Sequence, residues 1–131
     1  MRHLLYIAAG GALGASLRYI VSMAALRLGG TGFPWGTLAV NILGSLAAGF
    51  LWSVLFETTG RGRMQAVFLI GMLGAFTTFS AFSLETLRLW ESGRAGLAVA
   101  NVAANNAGAL AAVVAGYLLG RASLQIWGVR S

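Results

Sequence analysis

The sequence predicts an all-α membrane protein of four transmembrane helices, and three observations carry that prediction. The chain is 58% hydrophobic and only 9% charged, with a mean hydropathy of +0.80, far from the balance of soluble domains. Its apolar residues gather in four runs, 4–28, 36–56, 64–90 and 95–120, each near or beyond the ~20 residues a spanning helix needs. None of the runs breaks into the alternating ~10-residue segments of a membrane barrel, and an isolated apolar span must satisfy its backbone within its own helix. At 131 residues this reads as one four-span membrane domain covering 1–131.

The same composition narrows the function. Cysteine is absent and there is a single histidine, which argues against disulfides and against a transition-metal site. The net charge of +6 comes from nine Arg against Glu57, Glu85 and Glu91, with no Lys and no Asp. Most of these Arg sit at span ends, where they anchor helices at the interface, so no nucleic-acid partner is expected.

The first run follows Arg2 and His3 as a signal peptide would. It is too long for one, carries Arg18 inside it, and is rich in glycine, so it reads as a retained span. The second run opens after Pro34, a helix-start residue, and places Thr37 and Asn41 four apart on one face. Asn41 offers two N–H donors that suit an anion; interhelical hydrogen bonding is the other use of such an amide.

The third run would measure about 40 Å as a continuous helix, against a core of about 30 Å. Its midpoint falls at Thr77, within "GAFTTFSAFSLE" (74–85). Gly71, Gly74 and the Thr77–Thr78 pair weaken helix propensity there. Two readings follow: a break that frees backbone groups as an ion site, or an intact helix whose hydroxyls bond back to its carbonyls. Phe79 and Phe82, three apart, share a face and serve either as packing or as ring edges toward a small anion. Phe76 reads as ordinary core.

The fourth run crowds Asn101, Asn105 and Asn106 together, more amides than helix adhesion needs, which argues for a polar or wet seam. Small-residue spacings at Gly10/Gly14, Gly44 to Gly49, Gly108 and Gly116/Gly120 supply surfaces for close backbone approach. Arg18 and Glu85 are the deepest charges and lie in the same half of the four-span topology. An ion pair, a shared vestibule and separate snorkelling to the interface are all open.

Four spans put both termini on one side, with Arg2, Arg61, Arg63, Arg121 and Arg130. The other side has Arg27, Arg88 and Arg94, and Arg18 if it is counted there. So small a bias leaves open either a single orientation or insertion in both orientations with antiparallel pairing. Four helices offer few internal faces for a polar pathway, so an assembly of at least two copies is expected.

Three blocks, "GGALGASLRY" (10–19), "PWGTLAVNILG" (34–44) and "GMLGAFTTFSAFSLET" (71–86), resemble the signature blocks of the Fluc (CrcB-type) fluoride channels. The resemblance covers essentially the whole chain, and "GTLAVN" joined to "TTFSAF" is a specific combination. It implies a passive channel, not an enzyme, that exports fluoride across the bacterial cytoplasmic membrane. It also implies an antiparallel dual-topology homodimer in the bilayer, with two pores and a third helix broken at the midplane. By the same resemblance Asn41, Phe79, Phe82, Thr78, Ser80 and Asn105 belong to the fluoride pore, with Arg18 on the vestibule side. The backbone carbonyls of Gly74 and Thr77 would hold a structural sodium ion at the dimer centre. Two departures stand out: Ala81 replaces the usual threonine before the second phenylalanine, and Asn101 and Asn105 stand where tyrosine and serine are frequent.

Two rivals remain. A small multidrug-type exporter is also four-span and dual-topology, but it needs a carboxylate deep in a span; the first run has none and Glu85 lies near an end. A non-transporting membrane subunit would use its polar residues only to hold helices together.

Overall fold

The computed structural model describes residues 2–58 and 66–126, and every regular element among them is helical, with no strand. In chain order the helices are α1 (Arg2–Gly29), α2 (Trp35–Thr58), α3 (Ala66–Leu73), α4 (Gly74–Phe76), α5 (Phe79–Glu91) and α6 (Ala95–Ile126). α3 is wound wide, with i→i+5 bonding, and α4 is a single tight turn that continues it. Four helical stretches among the described residues are long and apolar enough to cross a membrane: His3–Gly29, Trp35–Leu55, Val67–Glu91 and Ala95–Ile126. The third of these comprises most of α3 together with α4 and α5.

The fourth helix runs on to Ile126, beyond the expected end at 120. At ~1.5 Å per residue it is about 48 Å long, so its end projects past the hydrocarbon. The expected start of the third span at 64, and Arg61, Arg63 and Arg130 of the loop-charge balance, lie outside the described residues.

Short turns join α1 to α2 and α5 to α6. α5 ends on Gly93 at φ +73, a left-handed position that glycine adopts without a Cβ penalty. Gly93 N–H donates to Trp90 O at 3.0 Å and Arg94 N–H to Leu89 O at 2.9 Å, the paired bonds of a Schellman cap. Gly30, also at φ +73, closes α1 with its N–H on Leu26 O at 2.9 Å.

Glycines let the helices approach backbone to backbone. α2 and α6 run in the same direction and interlock: a Cβ at Gly49 would meet Val113 O and Tyr117 N, and one at Gly116 would meet Leu46 O and Phe50 N. α1 lies against α3 in the same manner, with Gly10 over Val67 O, Gly14 over Met72 O and Gly71 over Ile7 O. Gly44 makes room for the Phe76 ring and the Thr77 methyl, which places the end of α4 against the middle of α2. Val40, Leu73, Phe76, Phe82, Leu89 and Ala98 form the buried apolar core. Large apolar side chains such as Leu5, Ile20, Leu110 and Leu118 remain exposed, as suits a surface solvated by lipid.

Candidate functional site

The site is built around two extended residues. Thr77 (φ −77, ψ 157) and Thr78 (φ −151, ψ 114) leave the helical region between α4 and α5. Thr77 sends both its N–H and its hydroxyl to Leu73 O, each at 3.0 Å, so one carbonyl takes the last two donors of the turn. Thr78 N–H, which an unbroken helix would deliver to Gly74 O, goes instead to Asn41 Oδ1 at 2.9 Å. Thr78 then caps α5, its Oγ1 accepting from Ala81 N–H at 3.2 Å. That bond takes the donor an unbroken helix would send to Thr77 O. The carbonyls of Gly74 and Thr77 are thereby released from their helical partners. The orphan N–H groups of the first turn of α5 carry the positive end of its dipole.

Asn41 begins a chain of amides across three helices. Its Nδ2 donates to Asn105 Oδ1 at 2.9 Å and, more weakly, to Thr78 O at 3.3 Å. Asn105 Nδ2 donates to Asn101 Oδ1 at 2.8 Å and to Asn101 O at 3.1 Å. Asn101 Nδ2 donates to Thr86 Oγ1 at 2.8 Å, and the Thr86 hydroxyl passes its proton to Phe82 O at 2.8 Å. Asn101 is fully buried and Asn105 nearly so, and every link runs in one direction from Asn41 to α5. The chain fixes Asn41 with its carbonyl oxygen on the Thr78 backbone. It joins α2, α6 and α5 by groups that would be costly to bury unpaired.

A cavity of about 320 Å³ opens beside this chain, and Asn41, Thr77, Thr78, Phe79, Phe82 and Asn105 are on its wall, joined by Ser45 and Asn106. The Phe79 and Phe82 rings stand 5.2 Å apart and are tilted by 55°, so they do not stack face to face. They differ in setting: Phe82 is 7% exposed, whereas Phe79 is 76% exposed on this chain.

A second cleft, of about 500 Å³, lies on the other side of Thr78 and holds Arg18, Ser22, Thr37, Ala81 and Glu85. Thr78 borders both spaces. Thr37 donates its hydroxyl to Glu85 Oε1 at 2.8 Å, while Glu85 Oε2 is buried without a partner among the described residues. Of the three relations open for Arg18 and Glu85, the shared cleft is the one observed; no ion pair joins them.

The residues expected to form a pore therefore divide into groups. Asn41, Thr78, Phe79, Phe82 and Asn105 meet at one cavity. Ser80 touches it only through its 3.2 Å hydrogen bond with Thr78 Oγ1. Arg18 belongs to the second cleft, and Gly74 faces outward on the turn before Thr77. Phe76 is buried core, as its position suggested. Thr37 was read from the sequence only as sharing a face with Asn41, not as the partner of Glu85, while Thr86 as the partner of Asn101 and Ser45 on the cavity wall were not singled out. For Ser45 a signal existed, since Thr37, Asn41 and Ser45 repeat every four residues along α2.

The family described as CrcB-like protein, Camphor Resistance (CrcB), matches residues 5–117. The chain is 46% identical over 125 residues to the fluoride-specific ion channel FluC of Chelativorans sp. (strain BNC1), covering 95% of this chain and 100% of that one. It is 46% identical over 123 residues to the protein of the same name from Rhizobium meliloti (strain 1021), covering 93% and 98%. With that of Paracoccus denitrificans (strain Pd 1222) it shares 48% identity over 122 residues, covering 92% and 97%.

Proposed function

The chain belongs to the CrcB family, and from that premise we propose that it is a fluoride-selective ion channel, a multi-pass membrane protein that lets accumulated fluoride leave the cell. The single observation that carries the reading is the neutral cavity beside Thr78, with Asn41, Asn105, Phe79 and Phe82 on its wall.

Fluoride is small and holds its water tightly, so a pore must offer donors in place of that water. Amide N–H groups, hydroxyls and the positive edges of aromatic rings do this without a fixed cation, which would bind too tightly for rapid release. One N–H of Asn41 is committed to Asn105, but the other makes only the 3.3 Å bond to Thr78 O and is free to turn to an anion. Arg18 lies in the adjoining cleft with Glu85, and the α5 N-terminus supplies a favourable potential for an anion beside the neutral passage.

In this reading the Thr77–Thr78 interruption lies at mid-membrane, and two copies assemble antiparallel in the bacterial cytoplasmic membrane. The outward-facing Phe79 supports a second copy, because a pore-lining ring so exposed needs a further wall. Sodium is held by interrupted helices through freed carbonyls, and Gly74 and Thr77 fit that demand. Their helical donors are taken by Asn41 and by Thr78 itself. Two carbonyls from each copy would enclose one ion, whose charge offsets the converging carbonyl dipoles and holds the subunits together.

Reconstitution in fluoride-loaded liposomes tests the proposal. Efflux should proceed with no proton gradient, and Asn41→Asp, which puts a negative charge on the cavity wall, should stop it while the protein still assembles. Efflux that requires a pH gradient would favour a proton-coupled exporter and remove the channel reading.

A further inference from the structure

We propose that Ser45 and Asn106 are anion-donor residues of the cavity, completing a donor set that Asn41 cannot supply alone. This rests on the fluoride-channel reading and extends it to two side chains that neither the signature blocks nor the family resemblance assigns.

The case for Ser45 is its hydrogen bonding. Most other hydroxyls within the described helices have a partner, several on their own backbone: Ser16 on Ala12 O at 2.9 Å, Ser83 on Phe79 O at 2.9 Å, Thr86 on Phe82 O at 2.8 Å, Ser123 on Gly120 O at 2.7 Å. Thr37 gives its proton to Glu85, and Ser22, in the second cleft, shares Ser45's lack of a partner among the described residues. Ser45 makes no such bond among the described residues, although it is half-buried in α2 and lines the cavity. A hydroxyl left unpaired at membrane depth carries a desolvation cost that this chain avoids at most other positions. Its proton is therefore available to whatever occupies the cavity.

Asn106 makes the second half of the argument. It sits well inside α6, exposed, with one N–H on Val102 O at 2.8 Å. The other N–H has no partner among the described residues. An amide in that position facing lipid alone would be expensive, yet Asn106 borders the same cavity as Ser45. Asn105, its neighbour, cannot serve, because both of its N–H bonds go to Asn101. Asn41 has at most one N–H to give. With a water occupying ~30 Å³, a cavity of about 320 Å³ holds an anion and several waters, so donors on different walls are needed to follow the ion across it.

The test compares isosteric pairs in fluoride-efflux assays on liposomes, with the assembled state of each variant checked in detergent. Ser45→Val removes the hydroxyl and puts two methyls on Cβ, and should slow efflux about tenfold, the loss of one hydrogen bond to a charged group. Ser45→Thr, which restores the hydroxyl at the same size, should recover most of that loss. Asn106→Leu should slow efflux by a similar factor with assembly unchanged, and the double variant should be slower than either. If both Ser45→Val and Asn106→Leu conduct like the parent, the proposal is wrong although the channel reading stands. If Asn106→Leu loses conduction only because the two copies separate, Asn106 is an interface residue and its assigned role falls. A parent protein that moves no fluoride would instead overturn the reading on which the proposal rests.

Discussion

The contact between α2 and α6 has two halves that solve the same packing problem in opposite ways. Where Gly49 and Gly116 meet the facing helix, backbone lies against backbone, and Gly120 makes room for the small Ser53 side chain beside Phe50 O. Toward the start of both helices Asn41, Asn101 and Asn105 hold α2, α6 and α5 together by amide bonds of 2.8–2.9 Å, and a cavity opens alongside. Glycine gives adhesion by removing volume, and the seam it makes is dry. Asparagine gives adhesion by hydrogen bonding, which leaves room for polar contents. One pair of parallel helices is thus clamped by glycine at one end and joined by amides beside a polar cavity at the other.

The sharpest way to break the comparison is to fill the dry half. Gly116→Leu drives a side chain into Leu46 O and Phe50 N, atoms of a facing backbone that cannot turn aside. It should cost about 3 kcal/mol or more and yield no monodisperse protein after extraction. Gly108→Ala is the control, because its added methyl would meet only the movable end of the Ile42 side chain, at 3.0 Å. That variant should survive with nearly the parent's thermal midpoint.

Next in size is the wet half. Asn41→Leu removes the acceptor of Thr78 N–H and the donor to Asn105 at once. Each stranded group costs about 1–3 kcal/mol. Thermal unfolding should show the loss, and fluoride efflux should fall at least about a hundredfold, since the wall of the passage loses its anchor. Asn101→Leu acts one link further away, leaving one N–H of Asn105 Nδ2 without its acceptor, the other keeping the backbone carbonyl of residue 101, and leaving Thr86 without its donor. It should destabilise by about 1–3 kcal/mol and reduce efflux less than Asn41→Leu does. Equal effects of the two would mean that the amide chain, and not the cavity wall, limits conduction. The smallest change is Thr37→Val, which deprives Glu85 Oε1 of its donor in a partly open cleft. A loss of about 1 kcal/mol with efflux little altered is expected.

How far the sequence revealed this arrangement depends on the range of the interaction concerned. Helix positions follow closely from hydropathy, and the last helix exceeded its expected end by the most, because Arg121, Ser123 and Gln125 end the apolar run without ending the helix. Gly71, Gly74, Thr77 and Thr78 mark where helix propensity fails, and that is local chemistry. That Asn41 takes the N–H of Thr78 is not local: the two residues lie 37 apart in the chain, and nothing in either segment names the other. The fourth helix shows the same limit. Three asparagines announced a polar seam, but their division of labour came only with their partners. Asn101 and Asn105 are bound within the chain of amides, and Asn106 keeps one N–H free of acceptors among the described residues. Ser45 was legible in principle, as the next step in the Thr37–Asn41 spacing, and an unremarkable residue type hid it.

The most direct test of the central claim, that a neutral cavity edged by aromatic rings carries fluoride, is the ratio of fluoride to chloride efflux from liposomes for the parent and for Phe79→Ile. The parent should pass fluoride and largely exclude chloride, and Phe79→Ile should silence fluoride efflux with the protein still assembled. Equal passage of both halides by the parent, or undiminished fluoride efflux in Phe79→Ile, would contradict it.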